Sequence, residues 1–346
     1  MTSSGFSFDA TGDSTSGGRG PGSRVTIRDL MYDAQRRLTA AGVPSPKVDA
    51  AVLMSWVLDV PRSRLIMQDE PTAAQRLAFE KAVSRRLSRI PLQHITGRAP
   101  FRHIELAVGR GVFIPRPETE LVAEAAMRHA REIDHPVVVD LCAGSGAVGL
   151  SIALEVAGSR VHLVELDDDA IEWTRRNVHE YREEVAAAGS DIQVIHGDAT
   201  QVADPGGALS SLVAAVDVVV ANPPYIPDAM VPREVEVRDH DPSAALFGGP
   251  DGLRIVAGVV RTAAMLLRPG GSLVIEHADV QGPDSPGGGV VGLIKAAALD
   301  DELATMLPGL PGAPLFEDVS DRRDLAGLPR FTMALRSAAF GSGNET

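Results

Sequence analysis

The chain has 346 residues, of which 44% are hydrophobic, and its formal net charge is −13 at pH 7. This length favours two domains or one domain with a substantial extension, and the acidic balance disfavours binding to nucleic acid through its phosphates. A single cysteine, Cys142, excludes an internal disulfide and a cysteine-based zinc site.

The first 23 residues are rich in Gly, Ser, Thr and Asp. This composition predicts a disordered tail at 1–23, and we expect a second, short tail at 339–346. The N-terminal segment lacks the apolar core of a signal peptide, and no apolar run approaches the roughly 20 residues that span a membrane. We therefore expect a soluble, cytoplasmic protein that does not bind a membrane.

Residues 24–97 show the apolar spacing of amphipathic helices. We predict one helix within 26–43, a second at 47–60 and a third at 72–90, the last with Thr72 as its N-cap. This segment is expected to form a small all-helical domain. The sequence pattern fits a stabilising cap and a substrate-docking domain equally well.

The segment 98–117 changes character, because apolar residues alternate on both sides of Gly109-Arg110-Gly111. This pattern predicts a β-hairpin that links two domains. A helix is predicted to follow at 117–132, with Pro117 in its first turn and Glu118 near the positive end of its dipole.

From His135 onward, apolar strands alternate with helices. Strands are predicted at 136–142, 160–166, 192–197, 216–221, 271–278, 313–321 and 329–337, and helices at 146–157, 168–181 and 252–267. This α/β pattern predicts a mostly parallel sheet covered on both faces, with an antiparallel pair at one edge. We assign this domain to 118–338, and the Gly- and Pro-rich segment 281–289 is predicted to be a mobile surface loop.

The segment VVVDLCAGSGAVGL, 137–150, is typical of a strand, a glycine turn and a helix. Gly144, Gly146 and Gly149 match the G-x-G-x-x-G pattern that lets a backbone approach a ligand closely. Ligands of open α/β sheets bind at the carboxyl ends of the strands. The sequence therefore predicts a cofactor site at this turn.

Two acids follow the next two strands. Glu165 can accept hydrogen bonds from ribose hydroxyls, and Asp198 stands where an adenine amino group can donate. These features suit NAD and S-adenosylmethionine equally, because both carry adenosine. Asp140 favours S-adenosylmethionine, since an acid ahead of the glycine turn tolerates a cationic sulfonium better than a pyrophosphate.

The strand at 216–221 ends in Asn222-Pro223-Pro224-Tyr225. Asn222 offers an amide oxygen, the prolines carry no N–H, and Tyr225 presents a flat face. A planar NH2 group fits this segment, with one N–H on the Asn222 oxygen and the other on the Pro223 carbonyl. We therefore assign catalysis to Asn222, Pro223 and Tyr225, by positioning and electrostatics and without a metal.

With these motifs the chain resembles the bacterial release-factor glutamine methyltransferases, which N5-methylate the glutamine of the Gly-Gly-Gln motif in class 1 peptide-chain release factors. The resemblance covers nearly all of the chain that we expect to be ordered. The segments that carry it are PLQHITG (91–97), FIPRPETE (113–120), DLCAGSGAVGL (140–150), ANPPYIP (221–227) and DPSAALFGGPDGL (241–253).

The resemblance implies a seven-stranded Rossmann-like S-adenosylmethionine-dependent methyltransferase domain. A small N-terminal helical domain that helps to recognise the release factor would be joined to it by the β-hairpin. Class 1 release factors are the expected partner, and we expect a monomer that does not bind nucleic acid directly. Family members often have Gly-Thr where this chain has Cys142-Ala143.

The predicted site combines the residue patterns with this resemblance. The cofactor would be held by Asp140, Cys142, Ala143, Gly144, Ser145, Gly146, Glu165, Asp198 and Asn222. The substrate would be held by Asn222, Pro223, Pro224, Tyr225, Pro115 and Arg116, with Pro117 also lining the cleft. For Arg116 a purely structural role is equally compatible with the sequence.

Several alternatives stay open. An adenine-N6 methyltransferase acting on nucleic acid shares the NPPY chemistry, and a sister family methylates a glutamine of a ribosomal protein. A non-catalytic S-adenosylmethionine-binding module is disfavoured by the intact Asn222–Tyr225 segment. An NAD oxidoreductase is least favoured, because no hydride-transfer acid or base accompanies the glycine turn. We interpret Cys142 as a small packed residue rather than a catalytic thiol.

Overall fold

A computed structural model describes residues 25–68, 70–297, 307 and 314–337. The predicted tails at 1–23 and 339–346 lie outside these described residues. The chain divides into two compact units between Ser88 and Arg89. The sequence analysis places the domain boundary later, at 97, because the helical pattern continues that far.

The first unit is helical, as predicted. Its helices are α1 (Ile27–Ala40), α2 (Pro46–Leu58) and α3 (Ala73–Leu87), with a 3-10 turn at Arg62–Met67. Thr72 caps α3 in a reciprocal box with Gln75, which satisfies backbone N–H groups that the first helical turn leaves free. A buried ion pair joins Arg86 to Asp49 at 2.7 Å.

The second unit contains a hairpin, a seven-stranded sheet and helices on both faces of that sheet. Its helices are α4 (Leu92–Thr96), α5 (Thr119–Ala130), α6 (Ala147–Glu155), α7 (Asp168–Glu180), α8 (Arg182–Ala187), α9 (Val235–His240), α10 (Arg254–Leu266) and α11 (Gly289–Ala296). Its strands are β1 (Arg98–Phe101), β2 (Ile104–Ala107), β3 (Val137–Leu141), β4 (Arg160–Glu165), β5 (Asp191–His196), β6 (Val216–Ala221), β7 (Leu267–Glu276), β8 (Phe316–Arg323) and β9 (Pro329–Arg336).

The sheet has the order β5-β4-β3-β6-β7-β9-β8. The five strands from β5 to β7 are parallel, and β9 is antiparallel to both β7 and β8. The prediction of a parallel sheet with an antiparallel edge is thus confirmed. Successive side chains of β3 point to opposite faces of the sheet. Val137 and Val139 pack in the hydrophobic core on the α10 side, and Val138 packs in the core on the side of α5 and α6.

The hairpin forms, but the predicted position of its turn is wrong. Phe101 pairs with Ile104, so the chain reverses immediately after β1, and Gly109 and Gly111 come after β2. A Cβ atom on Gly109 would lie 2.6 Å from the Trp173 ring, and one on Gly111 would lie 2.6 Å from Asp169 Cβ. These glycines are required for close packing against α7, a role that sequence spacing does not distinguish from a turn.

Other differences concern short elements. The helices α8, α9 and α11 were not predicted, because their few turns carry little periodicity. The predicted loop at 281–289 includes the 3-10 turn Pro286–Gly288, and its last residue begins α11. The helix predicted from Pro117 begins at Thr119, which buries the Thr119 side chain at the first helical position.

Two buried polar residues of α7 position the glycine turn that follows β3. Thr174 Oγ1 donates to the Gly144 carbonyl at 2.6 Å. Asn177 Nδ2 donates to the carbonyls of Ser145 and Ala107, and its Oδ1 accepts from the Ala107 N–H. Asn177 therefore connects the turn to strand β2 through three hydrogen bonds.

We expect Asn177→Ala to lower the free energy of unfolding by about 3 kcal/mol, because it leaves buried backbone groups without partners. Urea denaturation monitored by circular dichroism measures this loss. The exposed residue Glu172 lies on the same helix, and Glu172→Ala is the control. An Asn177→Ala variant as stable as this control would contradict the role assigned to Asn177.

Candidate functional site

A cavity of about 650 Å³ opens at the carboxyl ends of the parallel strands. The strand order reverses between β3 and β6, which is where ligands bind in open α/β sheets. Most of the predicted site residues line it: Asp140, Cys142, Ala143, Gly144, Ser145, Glu165, Asp198, Asn222, Pro224, Tyr225, Pro115 and Arg116. Gly146 and Pro223 are buried and do not line this cavity, and Pro117 is exposed and does not line it either.

The glycine turn leaves room for a ligand at the backbone. Gly144 has φ of +58°, and a Cβ atom there would meet nothing within 4 Å, so this cavity wall is open. A side chain on Gly149 would instead collide with Leu163. Cys142 has φ of +67°, a region of backbone conformation that favours glycine.

The two predicted adenosine acids also fix local backbone. Glu165 Oε2 accepts from the Gly144 N–H at 2.7 Å, and its Oε1 accepts from two N–H groups that follow β4. Asp198 Oδ1 accepts from the Thr200 N–H and hydroxyl. A carboxylate oxygen has two lone pairs, so Glu165 Oε2 retains one for a ligand hydroxyl.

Asp140 is 2% exposed, and its Oδ2 accepts from the Gly149 N–H at 2.9 Å. Burial raises the pKa of Asp140 to about 7, and the Glu165 charge adds to this rise. A cation in the cavity would favour the ionised form of Asp140. The acid, the open backbone at Gly144 and the free lone pair of Glu165 together fit S-adenosylmethionine.

The segment Asn222–Tyr225 leaves β6 at the same edge. Asn222 Nδ2 donates to Thr119 Oγ1 at 3.4 Å, and the Tyr225 hydroxyl donates to Glu276 Oε1 at 3.2 Å. Burial raises the pKa of Tyr225, so its hydroxyl keeps its proton. The Asn222 amide and the Tyr225 ring therefore both reach the wall of the cavity.

The glycine-rich segment 248–252 supports this wall from behind. Side chains on Gly248 and Gly252 would collide with the carbonyls of Pro224 and Tyr225, and Gln281 Nε2 donates to the Tyr225 carbonyl at 2.9 Å. These contacts explain physically why NPPY and GGPDG occur in one chain.

Arg116 lines the cavity and makes structural contacts as well. Its Nη2 donates to Asp241 Oδ2 at 2.6 Å, and its guanidinium lies 4.8 Å from the centre of the Phe113 ring. Burial raises the pKa of Asp241 to about 6, and the Arg116 charge opposes this rise. Arg116 thus lines the cavity while it anchors the segment that begins at Asp241.

Sequence reasoning missed Thr119, Asp241 and Glu276, which contact predicted site residues. Glu276 ends an apolar strand, and the same signal identified Glu165 at the end of β4. Thr119 and Asp241 gave no periodic signal, but both lie in segments that carry the family resemblance, FIPRPETE and DPSAALFGGPDGL.

Among the described residues, no group of three or more His, Cys, Asp or Glu residues is placed to hold a metal ion. Within the same part of the chain, no helix is long and apolar enough to cross a membrane.

The seven-stranded sheet, the glycine turn and the Asn222–Tyr225 segment beside it define the class of the protein, an α/β methyltransferase. A family model described as the PrmC N-terminal domain matches residues 29–97, and one described as conserved hypothetical protein 95 matches residues 93–239.

Curated relatives define the family more closely. The release factor glutamine methyltransferase of Streptomyces coelicolor is 48% identical over 74% of this chain and 86% of its own length. The release factor glutamine methyltransferase of Bifidobacterium longum is 44% identical over 75% of this chain and 89% of its own length, and that of Mycolicibacterium smegmatis is 40% identical over 90% of this chain and 98% of its own length. The chain belongs to the release factor glutamine methyltransferase family.

Asp140 predicts a dependence of stability on pH. Its pKa rises from 3.8 to about 7 on folding, so between these values the folded chain holds a proton that the unfolded chain has released. Stability therefore falls as the pH rises through this window. Asp140→Asn has no proton to release in this range, and its amide oxygen still accepts from the Gly149 N–H. The free energy of unfolding of Asp140→Asn minus that of wild type should therefore increase by up to about 4 kcal/mol between pH 4 and pH 7.

Urea denaturation at several pH values measures this difference. The control is Asp134→Asn, because the Asp134 side chain is 98% exposed. Curves for Asp140→Asn and wild type that stay parallel across the window would contradict the assignment.

Cys142 predicts a tolerated substitution. Burial and the nearby carboxylates raise the pKa of its thiol, so it stays protonated and is a poor nucleophile. We expect Cys142→Ala to keep kcat within a few-fold of wild type in a methyl-transfer assay. Loss of turnover with unchanged cofactor affinity would instead assign the thiol a chemical role.

Proposed function

We propose that this protein transfers a methyl group from S-adenosylmethionine to the side-chain amide nitrogen, N5, of the glutamine in the Gly-Gly-Gln motif of class 1 release factors. The observation that carries the proposal is the position of Asn222–Tyr225 on the wall of the cavity that the glycine turn also lines. Relatives at 40–48% identity that bear this activity in their names support the choice of substrate.

Four residues would hold the cofactor. The backbone at Gly144 would approach it, Glu165 and Asp198 would accept hydrogen bonds from its adenosine part, and Asp140 would balance its positive charge. When bound, S-adenosylmethionine supplies an electrophilic methyl group on a sulfonium.

Asn222 and Pro223 would hold the substrate amide. Because Asn222 Nδ2 points to Thr119, its Oδ1 is free to accept one N–H of the glutamine side chain. Pro223 is buried and does not line the cavity, so the glutamine side chain would have to insert beyond the cavity wall for the Pro223 carbonyl to accept the other N–H. The Tyr225 ring would cover the face of the planar group. An amide nitrogen is a poor nucleophile, and holding both N–H groups on strong acceptors directs its lone pair towards the methyl donor.

The nitrogen lone pair would form a bond to the methyl carbon while the sulfur–methyl bond breaks, which leaves its electron pair on sulfur as a neutral thioether, and the nitrogen then loses one proton. The proton leaves after transfer, when the nitrogen is acidic, and passes to solvent. This order needs only two acceptors in fixed positions, and Asn222 and Pro223 supply both.

The remaining expectations belong to the same proposal. The helical domain predicted at 24–97 would help to recognise the release factor, and the protein would act as a cytoplasmic monomer. The sequence resemblance supports the role of the helical unit, and the acidic net charge of −13 supports a protein rather than a nucleic acid as partner.

The proposal is tested by methyl transfer from labelled S-adenosylmethionine to parallel substrates. These are a class 1 release factor, the same factor with the Gly-Gly-Gln glutamine changed to alanine, a ribosomal-protein fraction and duplex DNA. Label on the first substrate alone supports the proposal. Equal labelling of the alanine variant would overturn the glutamine assignment, and labelling of the ribosomal fraction or the DNA alone would support one of the alternatives.

Asn222→Ala should lower kcat by roughly 100- to 1,000-fold, because it removes an acceptor that acts on the reacting nitrogen. We expect the dissociation constant for S-adenosylmethionine, measured by calorimetry, to change little. Equal losses of cofactor binding and turnover would place Asn222 in the cofactor site instead.

A further inference from the structure

The carboxyl end of β7 carries a buried acid that the proposed chemistry does not use. Glu276 is 2% exposed and is the last residue of β7, which pairs with β6 through Ala221 and Ile275. Asn222 and Glu276 are therefore the next residues along two neighbouring parallel strands. Glu276 does not line the cavity, whereas Asn222 does.

The two oxygens of Glu276 have different surroundings. Oε1 accepts from the Tyr225 hydroxyl at 3.2 Å, whereas Oε2 is buried and has no hydrogen-bond partner within the described chain. A buried carboxylate oxygen without a donor is costly and calls for a nearby N–H or O–H group.

Thr119 acts on this carboxylate electrostatically, although no hydrogen bond joins its hydroxyl to Glu276 Oε2 in this structure. Its hydroxyl and that of Tyr225 both lower the pKa of Glu276, which burial raises to about 7, and the Arg330 charge acts in the same direction. Thr119 is 3% exposed and begins α5, and its Oγ1 lies 3.4 Å from Asn222 Nδ2. Thr119 thus stands between the buried acid and the amide that faces the substrate.

A threonine hydroxyl has a single proton to donate. If that proton is directed to the Glu276 carboxylate, the Thr119 oxygen can only accept, and the partner that it accepts from must be the NH2 end of the Asn222 amide. The carbonyl end of that amide then faces the other way. An Asn222 amide turned by 180° would offer the substrate a donor where an acceptor is needed.

We propose that Thr119 and Glu276 are positioning residues that fix the orientation of the Asn222 amide, with Glu276 acting through the Thr119 hydroxyl. This inference rests on the proposed function. The methyl transfer proposed above does not itself require Thr119 or Glu276. Glu276 aligns the Thr119 hydroxyl, Thr119 holds Asn222 Nδ2, and Asn222 Oδ1 remains available to the glutamine N–H.

The action of Glu276 on Asn222 through the Thr119 hydroxyl is called the relay below. Steady-state methylation of a class 1 release factor tests it. Thr119→Val keeps the shape of the side chain and removes the hydroxyl, so we expect kcat to fall about 100-fold. The dissociation constant for S-adenosylmethionine should stay close to that of wild type. Thr119→Ser restores a hydroxyl and should recover most of the lost turnover.

The control is Thr262→Val. Thr262 is fully buried in α10, and its hydroxyl has no hydrogen-bond partner among the described residues, so its loss should leave kcat unchanged. This variant separates the loss of a positioning hydroxyl from the loss of any buried hydroxyl.

A double-mutant cycle tests whether Glu276 acts through Thr119. Glu276→Gln should lower kcat about tenfold in the wild-type background and hardly at all in the Thr119→Val background, because the path to Asn222 is already broken. Independent, multiplying effects of the two changes would overturn the relay.

Two further outcomes would also overturn the inference. One is a kcat of Thr119→Val equal to that of wild type. The other is a loss of both kcat and cofactor affinity in Thr119→Val, with the same loss in Thr119→Ser. An inactive wild-type enzyme in the same assay would instead reject the proposed function itself, so the two failures are distinguishable.

Discussion

The parallel register of three central strands determines where the functional side chains lie. Leu141 of β3 pairs with Ala221 of β6, and Ala221 pairs with Ile275 of β7. The next residues, Cys142, Asn222 and Glu276, therefore lie side by side at the carboxyl ends of these strands. A shift of one residue in either pairing would move every side chain of the strand to the other face and separate the glycine turn from the amide.

The loops that follow these strands are held in place mainly by backbone contacts. Thr174 and Asn177 bind the carbonyls of the glycine turn, and Glu165 accepts from the N–H of Gly144. On the other side of the cavity, glycines at 248 and 252 pack against the NPPY carbonyls. Contacts within the chain thus hold the backbone of the cavity wall in place, and preorganisation of this kind reduces the entropy cost of binding.

Much of this arrangement follows from the sequence. The long apolar strands, the glycine turn and the polar residues at the strand ends predict the sheet and most of the cavity, because buried parallel strands and their ends have a distinct composition. The turn of the hairpin was not predictable, since Gly109 and Gly111 serve contacts with α7 that only the folded chain reveals. Thr119 and Asp241 escaped notice for the same reason: their partners are more than 100 residues away in the chain.

Gly248 and Gly252 pack on the backbone of Pro224 and Tyr225. These two distant segments can therefore be transferred to another protein only as a pair. Any redesign that moves NPPY into another scaffold, or replaces it to accept a different amine, must carry the glycine segment and Gln281 with it. A transplanted NPPY alone would lack the surface that shapes its carbonyls. Recombination between members of this fold should therefore keep the NPPY segment and the glycine segment 248–252 together. The two segments are separate in the chain, but they pack directly against each other.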